Sequence, residues 1–363
     1  EGLECIEELF SEFLISMPQK NNIELSIITP SYNEINVIEE FVFKLKKTFV
    51  GESVKFIFVN DGSSDGTKEW LNKNIPIIFK SNKYEILNLD KNVGKGGALR
   101  QSFLHAEGNY ILLIDSDMEY NPLDALEMYN LIKSDHKIEV LFGSRYLGGK
   151  IQHRKHFFND LAVRINTLIF NFFFAESITD LHSGTKIFRK TILNKLDLSI
   201  NDFGFEIDIS AQIVKNNYKI YEYGISYLER TKAEGKKITL YDGLLSYYYL
   251  FKTRFIQNDL PTLVSLFYST LFMGYIGSHF GLGIGKTMVI IFFAIIGMLM
   301  GINRKIIPLT TIFGFVYVGS LFSKGNDRIY TVLIFFLLSL YVSKLIKKNF
   351  KSKSNKFFLN YFI

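Results

Sequence analysis

Residues Asn109 to Pro122 read NYILLIDSDMEYNP, in which five apolar residues are followed by acids at positions 115, 117 and 119. A short apolar run bounded by turn residues predicts a buried β-strand. Residues two apart in an extended chain point the same way, so Asp115 and Asp117 are expected to face one pocket. Two close carboxylates repel each other unless one is protonated or a cation lies between them. A divalent cation resolves this conflict, and oxygen-only ligands favour Mg²⁺ or Mn²⁺ over zinc.

Similar strand patterns recur through the first third of the chain. They are IELSIITP (23–30), VKFIFVND (54–61), YEILNLD (84–90) and NYILLID (109–115). Each is followed by polar turn residues and then by a helical pattern, which predicts an α/β fold with a mostly parallel sheet covered on both faces. Ligands of such sheets bind beyond the carboxyl ends of the strands. We therefore expect the turns that follow these strands to converge on one site.

The composition changes once along the 363 residues. Up to about Phe255 charged residues recur every few positions, whereas 260–285 contains no Asp, Glu, Lys or Arg. Three shorter windows of the same kind follow, at 287–303, 306–323 and 329–343. A bilayer core requires about 20 apolar residues per helix, so the pattern predicts about four transmembrane helices, with three or two as alternatives.

Charged residues between these windows predict the orientation. Arg304 and Lys305 would lie on the same side as the C-terminal stretch 343–363, which has six lysines and no acid. The charge of this stretch is as large as the net charge of the whole chain, +6. That side is cytoplasmic by the positive-inside rule, which predicts a multi-pass membrane protein whose α/β domain faces the cytoplasm. A merely solvated tail is the alternative. The single Cys5 excludes an internal disulfide, and no basic patch with stacking aromatics indicates nucleic-acid binding.

Five segments make up the predicted organisation. They are an N-terminal helix (1–22), an α/β domain (23–237), juxtamembrane amphipathic helices (238–259), a transmembrane domain (260–345) and a basic cytoplasmic tail (346–363). The first helix has one apolar face and is expected to pack on the body or on the membrane. Its acidic start is unlike a signal peptide.

Seven motifs follow one another in a recognisable order. They are TPSYNE, VNDGSSDGT, NVGKGGALRQSF, IDSDMEYNP, GSRY, DLHSGTKIF and YLERTKAEGKKI. In this order the chain resembles inverting family-2 glycosyltransferases of the GT-A fold, over about 24–255. Within that family it is similar to enzymes that move a sugar from a nucleotide to a polyprenyl phosphate: dolichyl-phosphate mannose and glucose synthases and their bacterial undecaprenyl relatives.

The resemblance implies transfer of a hexose, with inversion, from UDP-glucose or GDP-mannose to a dolichyl or undecaprenyl phosphate. UDP-glucose is favoured because GKGGALR looks more like the glucosyl members. EGKKI departs from the ESKL of the dolichyl-mannose members, which leaves the donor and the lipid open but not the reaction class. The implied partners are the nucleotide sugar, the lipid phosphate and the bilayer, and a homo-oligomer is compatible with them. An acceptor phosphate is largely deprotonated at pH 7, so it can attack without a strong general base.

The resemblance also implies site residues. The nucleotide sugar would be bound by Pro30, Tyr32, Glu34, Val59, Asp61, Lys95, Asp115, Ser116, Asp117, Arg145, Arg230 and Lys236. Mg²⁺ or Mn²⁺ would be held by Asp115, Asp117 and Glu119. The acceptor phosphate would be bound by Arg145, Arg154, Arg230 and Lys236. Catalysis would depend on Asp117, Arg145 and Arg230.

Structural roles compete with several of these assignments. Asp61 could belong to a turn, and Asp65 is expected to be a turn or helix cap. Glycines 94, 96 and 97 fit neither a P-loop nor the dinucleotide fingerprint, so they could serve helix packing. Glu119 could be a surface acid. Arg230 could pair on the surface with Glu229 or Glu234.

Further downstream, Asp180, Glu206 and Asp208 are candidate ligands of sugar hydroxyls, with a structural role as the alternative. His153, His156 and His182 are expected to be ordinary loop or core residues. A processive polysaccharide synthase would carry Gln-x-x-Arg-Trp, but the one tryptophan, Trp70, lies in KEWL. A non-catalytic nucleotide-sugar-binding membrane scaffold is a further alternative, against which the intact acidic and arginine motifs argue.

Overall fold

The computed structural model describes residues 23–231, 240–256 and 270. The predicted N-terminal helix, the transmembrane windows, the basic tail and Lys236 lie outside these residues and stay predictions. Within the described ranges, no helix is both long and apolar enough to cross a bilayer.

Nine strands and seven α-helices organise the described chain. The strands are β1 (Leu25–Ser31), β2 (Val54–Asn60), β3 (Lys83–Asn88), β4 (Tyr110–Leu113), β5 (Val140–Ser144), β6 (Gln152–His153), β7 (Lys186–Arg189), β8 (Ile220–Gly224) and β9 (Tyr227–Leu228). The helices are α1 (Ile38–Thr48), α2 (Thr67–Ile78), α3 (Lys95–Ser102), α4 (Pro122–Ser134), α5 (Phe157–Phe174), α6 (Phe205–Lys215) and α7 (Leu240–Phe251).

Seven of these strands form one sheet in the order β3-β2-β1-β4-β7-β5-β8. The strands run parallel except β7, which is antiparallel to both β4 and β5. The prediction of an α/β fold with a mostly parallel sheet is therefore confirmed. A separate parallel pair joins β6 to β9, with His153 opposite Leu228.

The sheet is buried on both faces, as its apolar strands predict. In β2, Phe56 and Phe58 pack into one hydrophobic cluster, whereas Ile57 and Val59 pack into another. This division follows the two-residue period of a strand, which sends alternate side chains to opposite faces. Helices cover both faces, so the polar turns at the strand ends are the part of this domain left to bind ligands.

The acidic motif, which comprises Asp115, Asp117 and Glu119, lies in the connection between β4 and α4. Helix α4 starts at Pro122, and the Asn121 side chain caps it by accepting the amide N–H of Leu123 at 3.2 Å. Proline and asparagine are favoured at these positions because the first amides of a helix lack intrahelical acceptors. Met118 adopts a left-handed backbone conformation with φ of 61°. The connection therefore turns sharply between Asp117 and Glu119.

The described chain divides into two compact units. The seven-stranded sheet and the acidic motif belong to the first, which comprises 23–163, 179–213 and the described part of 218–242. The second includes 164–178, 214–217 and 243–256. Within it, the Asn171 side chain bonds both the N–H and the C=O of Ile178, at 3.1 and 2.7 Å.

Candidate active site

Turns that follow the first four strands meet at one edge of the sheet, as predicted. Asn33 accepts the amide N–H of Ser64 at 2.8 Å, which joins the turn after β1 to the turn after β2. Gly62 has a φ of 66°, and a Cβ there would lie 2.5 Å from the amide nitrogen of Asn92. The turns after β2 and β3 are thus in close backbone contact, which only glycine permits at this position.

Asp61 connects the same two turns. Its carboxylate accepts the amide N–H groups of Val93 and Gly94, at 2.8 and 3.0 Å. Burial raises the pKa of Asp61, and these two hydrogen bonds offset only part of that effect. Its binding to a nucleobase stays a prediction. Asp65 serves the turn before α2, one of the two roles expected for it, because it accepts both the amide N–H and the hydroxyl of Thr67.

Asp115 and Asp117 each face a cation. The Lys95 ammonium lies 2.8 Å from the Asp115 carboxylate, and the Arg230 guanidinium lies 3.3 Å from Asp117. Burial and the nearby charges of Glu119 and Asp115 raise the pKa of Asp117 to about 7, although Arg230 acts in the opposite direction. The acids therefore repel one another despite their partners, as predicted from their spacing.

This donor set fits a hard divalent cation. The donors are carboxylate oxygens, and their surplus of negative charge is what such an ion neutralises. Gly184 borders the site, where a Cβ would lie 2.0 Å from Oδ2 of Asp115. The absence of a side chain there gives the Asp115 carboxylate the space that it occupies. Asp115 and Asp117 are therefore the residues that would hold Mg²⁺ or Mn²⁺.

Glu119, the third predicted metal ligand, is already hydrogen-bonded within the protein, and its contact with a metal stays a prediction. Among the described residues, no three or more His, Cys, Asp or Glu side chains are arranged to hold an ion. One Glu119 oxygen accepts the Tyr227 hydroxyl at 2.9 Å, and the other accepts the amide N–H of Arg230 at 3.0 Å. Glu119 is also buried, so the alternative of a surface acid is wrong as well. Its role is to hold the segment around Tyr227 and Arg230.

Arg145 is held in a two-pronged ion pair. Its Nε and Nη2 atoms donate to the Asp180 carboxylate at 2.7 and 2.8 Å. The guanidinium also lies over the Tyr227 ring, 5.0 Å from the centroid. Burial of Asp180 acts to raise its pKa, but Arg145 outweighs burial and the pKa is lowered. Asp180 is thus the anchor of Arg145, which supports the structural alternative for this residue, while its binding to a sugar hydroxyl stays a prediction.

Arg230 is paired across the site rather than on the surface. Its Nη1 donates to Glu34 at 2.8 Å, and only 13% of its side chain is exposed. Arg230 is therefore not a surface arginine, and Glu234, one of its two proposed surface partners, lies outside the described residues. Glu34, predicted to bind the nucleotide sugar, is a buried partner of this arginine, and its binding to the donor stays a prediction.

Arg154 lies beside Arg145. Its Nη2 donates to the Arg145 carbonyl and to the side chain of Gln152, and its guanidinium lies 4.2 Å from the Tyr146 ring centroid. Asp160 accepts the Tyr146 hydroxyl at 2.9 Å and lies 3.3 Å from Arg154. The structure thus brings three of the four predicted phosphate ligands near the acidic motif. Arg230 contacts the motif directly, Arg145 is linked to it through Tyr227, and Arg154 is linked to it through Arg145 and Tyr227.

Glu206 and Asp208 are already bonded within the protein, which supports the structural role that was the alternative to sugar binding. Glu206 pairs with both Lys95 and the fully buried Lys186. Burial acts against its charge, but the two lysines outweigh burial and lower the pKa of Glu206 to about 2. Asp208 accepts the amide N–H groups of 199 and 200, at 2.7 and 2.9 Å.

The glycine-rich turn packs against the same segment. A Cβ on Gly96 would lie 2.3 Å from the carbonyl oxygen of Ile200, and the amide of Gly97 donates to the carbonyl of Asn201 at 2.9 Å. The packing role proposed for these glycines is therefore confirmed. It positions Lys95, the first residue of α3, toward Asp115.

Other predicted nucleotide ligands divide into accessible and inaccessible residues. Tyr32 is 36% exposed at the site edge. Ser116 donates its hydroxyl to the carbonyl of Pro30 at 3.0 Å, so both residues serve to join the β1 and β4 turns. Val59 is fully buried in the core, so its side chain packs within the sheet, and its contribution to the base pocket stays a prediction.

Sequence reasoning missed three residues that build the site. Tyr227 contacts Arg145 and Glu119, and Tyr120 accepts the amide N–H of Gly184 at 3.0 Å. Lys186 anchors Glu206 from within the sheet. A signal existed for Lys186 alone, since an unpaired lysine in an otherwise apolar strand is costly. Both tyrosines read as ordinary core residues.

The sequence matches known glycosyltransferases. Residues 26–197 match the family model Glycosyl transferase family 2. A dolichyl-phosphate beta-glucosyltransferase of Saccharomyces cerevisiae is 30% identical over 263 residues, which are 65% of this chain and 77% of that protein. One of Dictyostelium discoideum is 26% identical, over 60% of this chain and 69% of its own.

A solved structure shows the same fold. Glucosyl-3-phosphoglycerate synthase of Mycobacterium tuberculosis, in complex with Mn²⁺, UDP-glucose and phosphoglyceric acid, matches with a TM-score of 0.50 and 18% identity. The match covers 65% of this chain and 81% of that one. At this identity the likeness concerns the GT-A-like fold alone.

Proposed function

The chain belongs to glycosyl transferase family 2, and we propose that this enzyme transfers glucose from UDP-glucose to a polyprenyl phosphate with inversion. The dolichyl-phosphate beta-glucosyltransferases among its relatives support a dolichyl-type acceptor and favour UDP-glucose over GDP-mannose. Transfer to a lipid phosphate requires a site that accepts two groups of anions: the donor diphosphate and the acceptor phosphate.

The observation that carries the proposal is the meeting of a paired-aspartate site with two separately anchored arginines. Arg145 is fixed by Asp180, and Arg230 is fixed by Glu34. Tyr227 links the two arginines. Its ring lies under the Arg145 guanidinium, and its hydroxyl donates to Glu119. Glu119 in turn accepts the amide N–H of Arg230. Arginines held in this way suit bidentate phosphate binding, with little loss of side-chain entropy.

The proposed reaction needs positioning and charge neutralisation more than proton transfer. The acceptor phosphate oxygen attacks the anomeric carbon, while the bond from that carbon to the donor phosphate breaks and its electron pair leaves on the nucleoside diphosphate. A divalent ion held by Asp115 and Asp117 would supply positive charge to this leaving group. Arg145 and Arg230 orient the two phosphates, which favours attack from the opposite face of the sugar.

An exposed apolar surface lies beside the arginines and supports a lipid acceptor. We define the β6–β9 patch as Ile151, Phe157, Phe158 and Leu228, which are between 56% and 80% exposed. Ile151 accepts the amide N–H of Tyr227, and Leu228 lies opposite His153 in the β6–β9 pair. Phe157 and Phe158 directly follow His156, whose amide N–H donates to Glu229, the residue before Arg230. Apolar side chains next to cations suit the boundary between lipid chains and phosphate head groups. This arrangement supports our proposal that the catalytic domain works at a membrane surface, whereas the multi-pass anchor and the cytoplasmic orientation are proposed from the sequence pattern alone.

A donor and acceptor panel tests the proposal with the full chain in detergent. UDP-glucose, UDP-galactose and GDP-mannose would each be offered with a polyprenyl phosphate, and the lipid product identified by mass spectrometry and its anomeric configuration by NMR. We expect a β-glucosyl lipid from UDP-glucose. Product from GDP-mannose alone would overturn the donor assignment, and a water-soluble polymer would instead favour a processive synthase.

A further inference from the structure

Lys95 occupies the position of a cation on Asp115. Its ammonium nitrogen is 2.8 Å from each of the two carboxylate oxygens of Asp115 and 2.8 Å from Oε1 of Glu206. Burial acts against its charge, but Asp115 and Glu206 outweigh burial and raise the pKa of Lys95 above its usual range. Lys95 is therefore a charged, mostly buried counter-ion of the residue expected to hold the metal.

Two cations cannot share Asp115 in this geometry. The ammonium lies within hydrogen-bond distance of both oxygens. A divalent ion bound to the same carboxylate would therefore lie only a few ångströms from the ammonium. The repulsion between them at that separation is several kcal/mol even in a medium with an effective dielectric constant of about 20. One of the two has to withdraw when the other binds.

We propose that Lys95 is the resident counter-ion of Asp115 and exchanges with the divalent cation, moving from Asp115 to the donor diphosphate as the loaded site assembles. This inference rests on the proposed function for the identity of the diphosphate. The exchange keeps Asp115 neutralised before loading. It also makes metal and nucleotide binding depend on one another through a single side chain.

Glu206 makes the exchange possible without leaving a buried charge unpaired. It holds Lys95 through one oxygen, while Lys186 holds the other oxygen of Glu206 from within the sheet. Lys186 is itself fully buried and also donates to the carbonyl of Ser183. Glu206 is thus fixed, and Lys95 keeps this partner when it leaves Asp115. A buried ammonium with no partner would be strongly disfavoured.

Mn²⁺ affinity measured without turnover tests the exchange. Free Mn²⁺ would be titrated by electron paramagnetic resonance against the full chain, with and without saturating UDP. The variants are Lys95→Met and, as a control of equal charge from the same turn, Lys91→Met, whose side chain is exposed. Without UDP, Lys95→Met should bind Mn²⁺ about tenfold more tightly than wild type, because the competing charge is gone. With UDP the two proteins should be nearly equal.

Three results would overturn the exchange. The first is an equal Mn²⁺ affinity of wild type and Lys95→Met without UDP. The second is an equal gain in Mn²⁺ affinity in Lys91→Met. The third is a gain in Lys95→Met that persists unchanged with UDP, which is the result expected from general electrostatics. Should Lys95→Met fail to fold, Lys95→Gln replaces it. Failure of UDP to alter Mn²⁺ affinity in wild type would count against the donor assignment, whereas the titration without nucleotide still decides the role of Lys95.

Discussion

Arg230 and Glu34 form an ion pair of 2.8 Å between residues 196 positions apart. The pair joins the turn after β1 to the segment after β9, and both side chains are mostly buried. Asp117 lies 3.3 Å from the same guanidinium. Arg230 therefore has a structural contact with Glu34 and a place beside Asp117, where we propose that it binds phosphate, and these two roles can be separated by mutation.

Substitution of Arg230 by Ala should lower turnover about a hundredfold or more, the usual effect of losing a group that stabilises charge in the transition state. Arg230→Lys should recover only part of the activity, because an ammonium lacks the bidentate fork. Glu34→Gln is the matched control, since it breaks the same ion pair but keeps the guanidinium. Turnover and melting temperature would be measured for all three. Equal losses of turnover in Arg230→Ala and Glu34→Gln would mean that the arginine acts only through the fold.

Gly184→Ala should disturb Asp115 directly. The added methyl would lie 2.0 Å from Oδ2, so the carboxylate must move and Mn²⁺ affinity should fall at least tenfold. Gly148→Ala provides the control, because nothing lies within 4 Å of a Cβ at that position. Isothermal titration with Mn²⁺ and UDP checks both variants. Wild-type affinity in Gly184→Ala would exclude Asp115 from the metal site.

Glu206 should make stability depend on acid pH. Its pKa is about 2 in the folded protein against 4.5 in the unfolded chain, so its stabilisation is complete above 4.5 and disappears as the pH falls toward 2. Glu206→Gln should remove this part of the pH dependence. It should also lower the free energy of unfolding by about 3 kcal/mol at neutral pH, because Lys95 and Lys186 lose a buried partner. Thermal unfolding at a series of pH values would show both effects; parallel profiles for the two proteins would contradict them.

The β6–β9 patch should contribute to use of the lipid acceptor. Phe158→Ser removes a side chain that is 80% exposed, so it should raise KM for a long-chain polyprenyl phosphate several-fold with little loss of stability. KM for a short-chain acceptor should change less. Leu104→Ser is the control, since Leu104 is 88% exposed but lies outside the patch. Similar kinetics for Phe158→Ser and wild type with the long-chain acceptor would remove the patch from the acceptor site.

Local sequence patterns predicted the architecture and the position of the site. Apolar runs alternating with helical patterns predicted a mostly parallel sheet, because strand periodicity and burial are encoded in neighbouring residues. The polar turns were predicted to converge because the carboxyl ends of parallel strands all lie at the same edge of the sheet. The spacing of Asp115 and Asp117 was sufficient to predict a pair of repelling carboxylates. The repulsion depends only on these two residues and on the extended backbone that points both side chains the same way.

Partners of these residues were decided by the tertiary structure alone. Nothing near Arg230 indicates Glu34, and nothing near Asp180 indicates a fork with Arg145. The insertion of antiparallel β7 between β4 and β5 was not predicted either, yet it brings Lys186 under Glu206. A charged side chain that is taken out of water pairs with whichever opposite charge the fold brings within reach. That choice depends on which distant segments meet, so short-range periodicity determines where the site lies but not how its charges are paired.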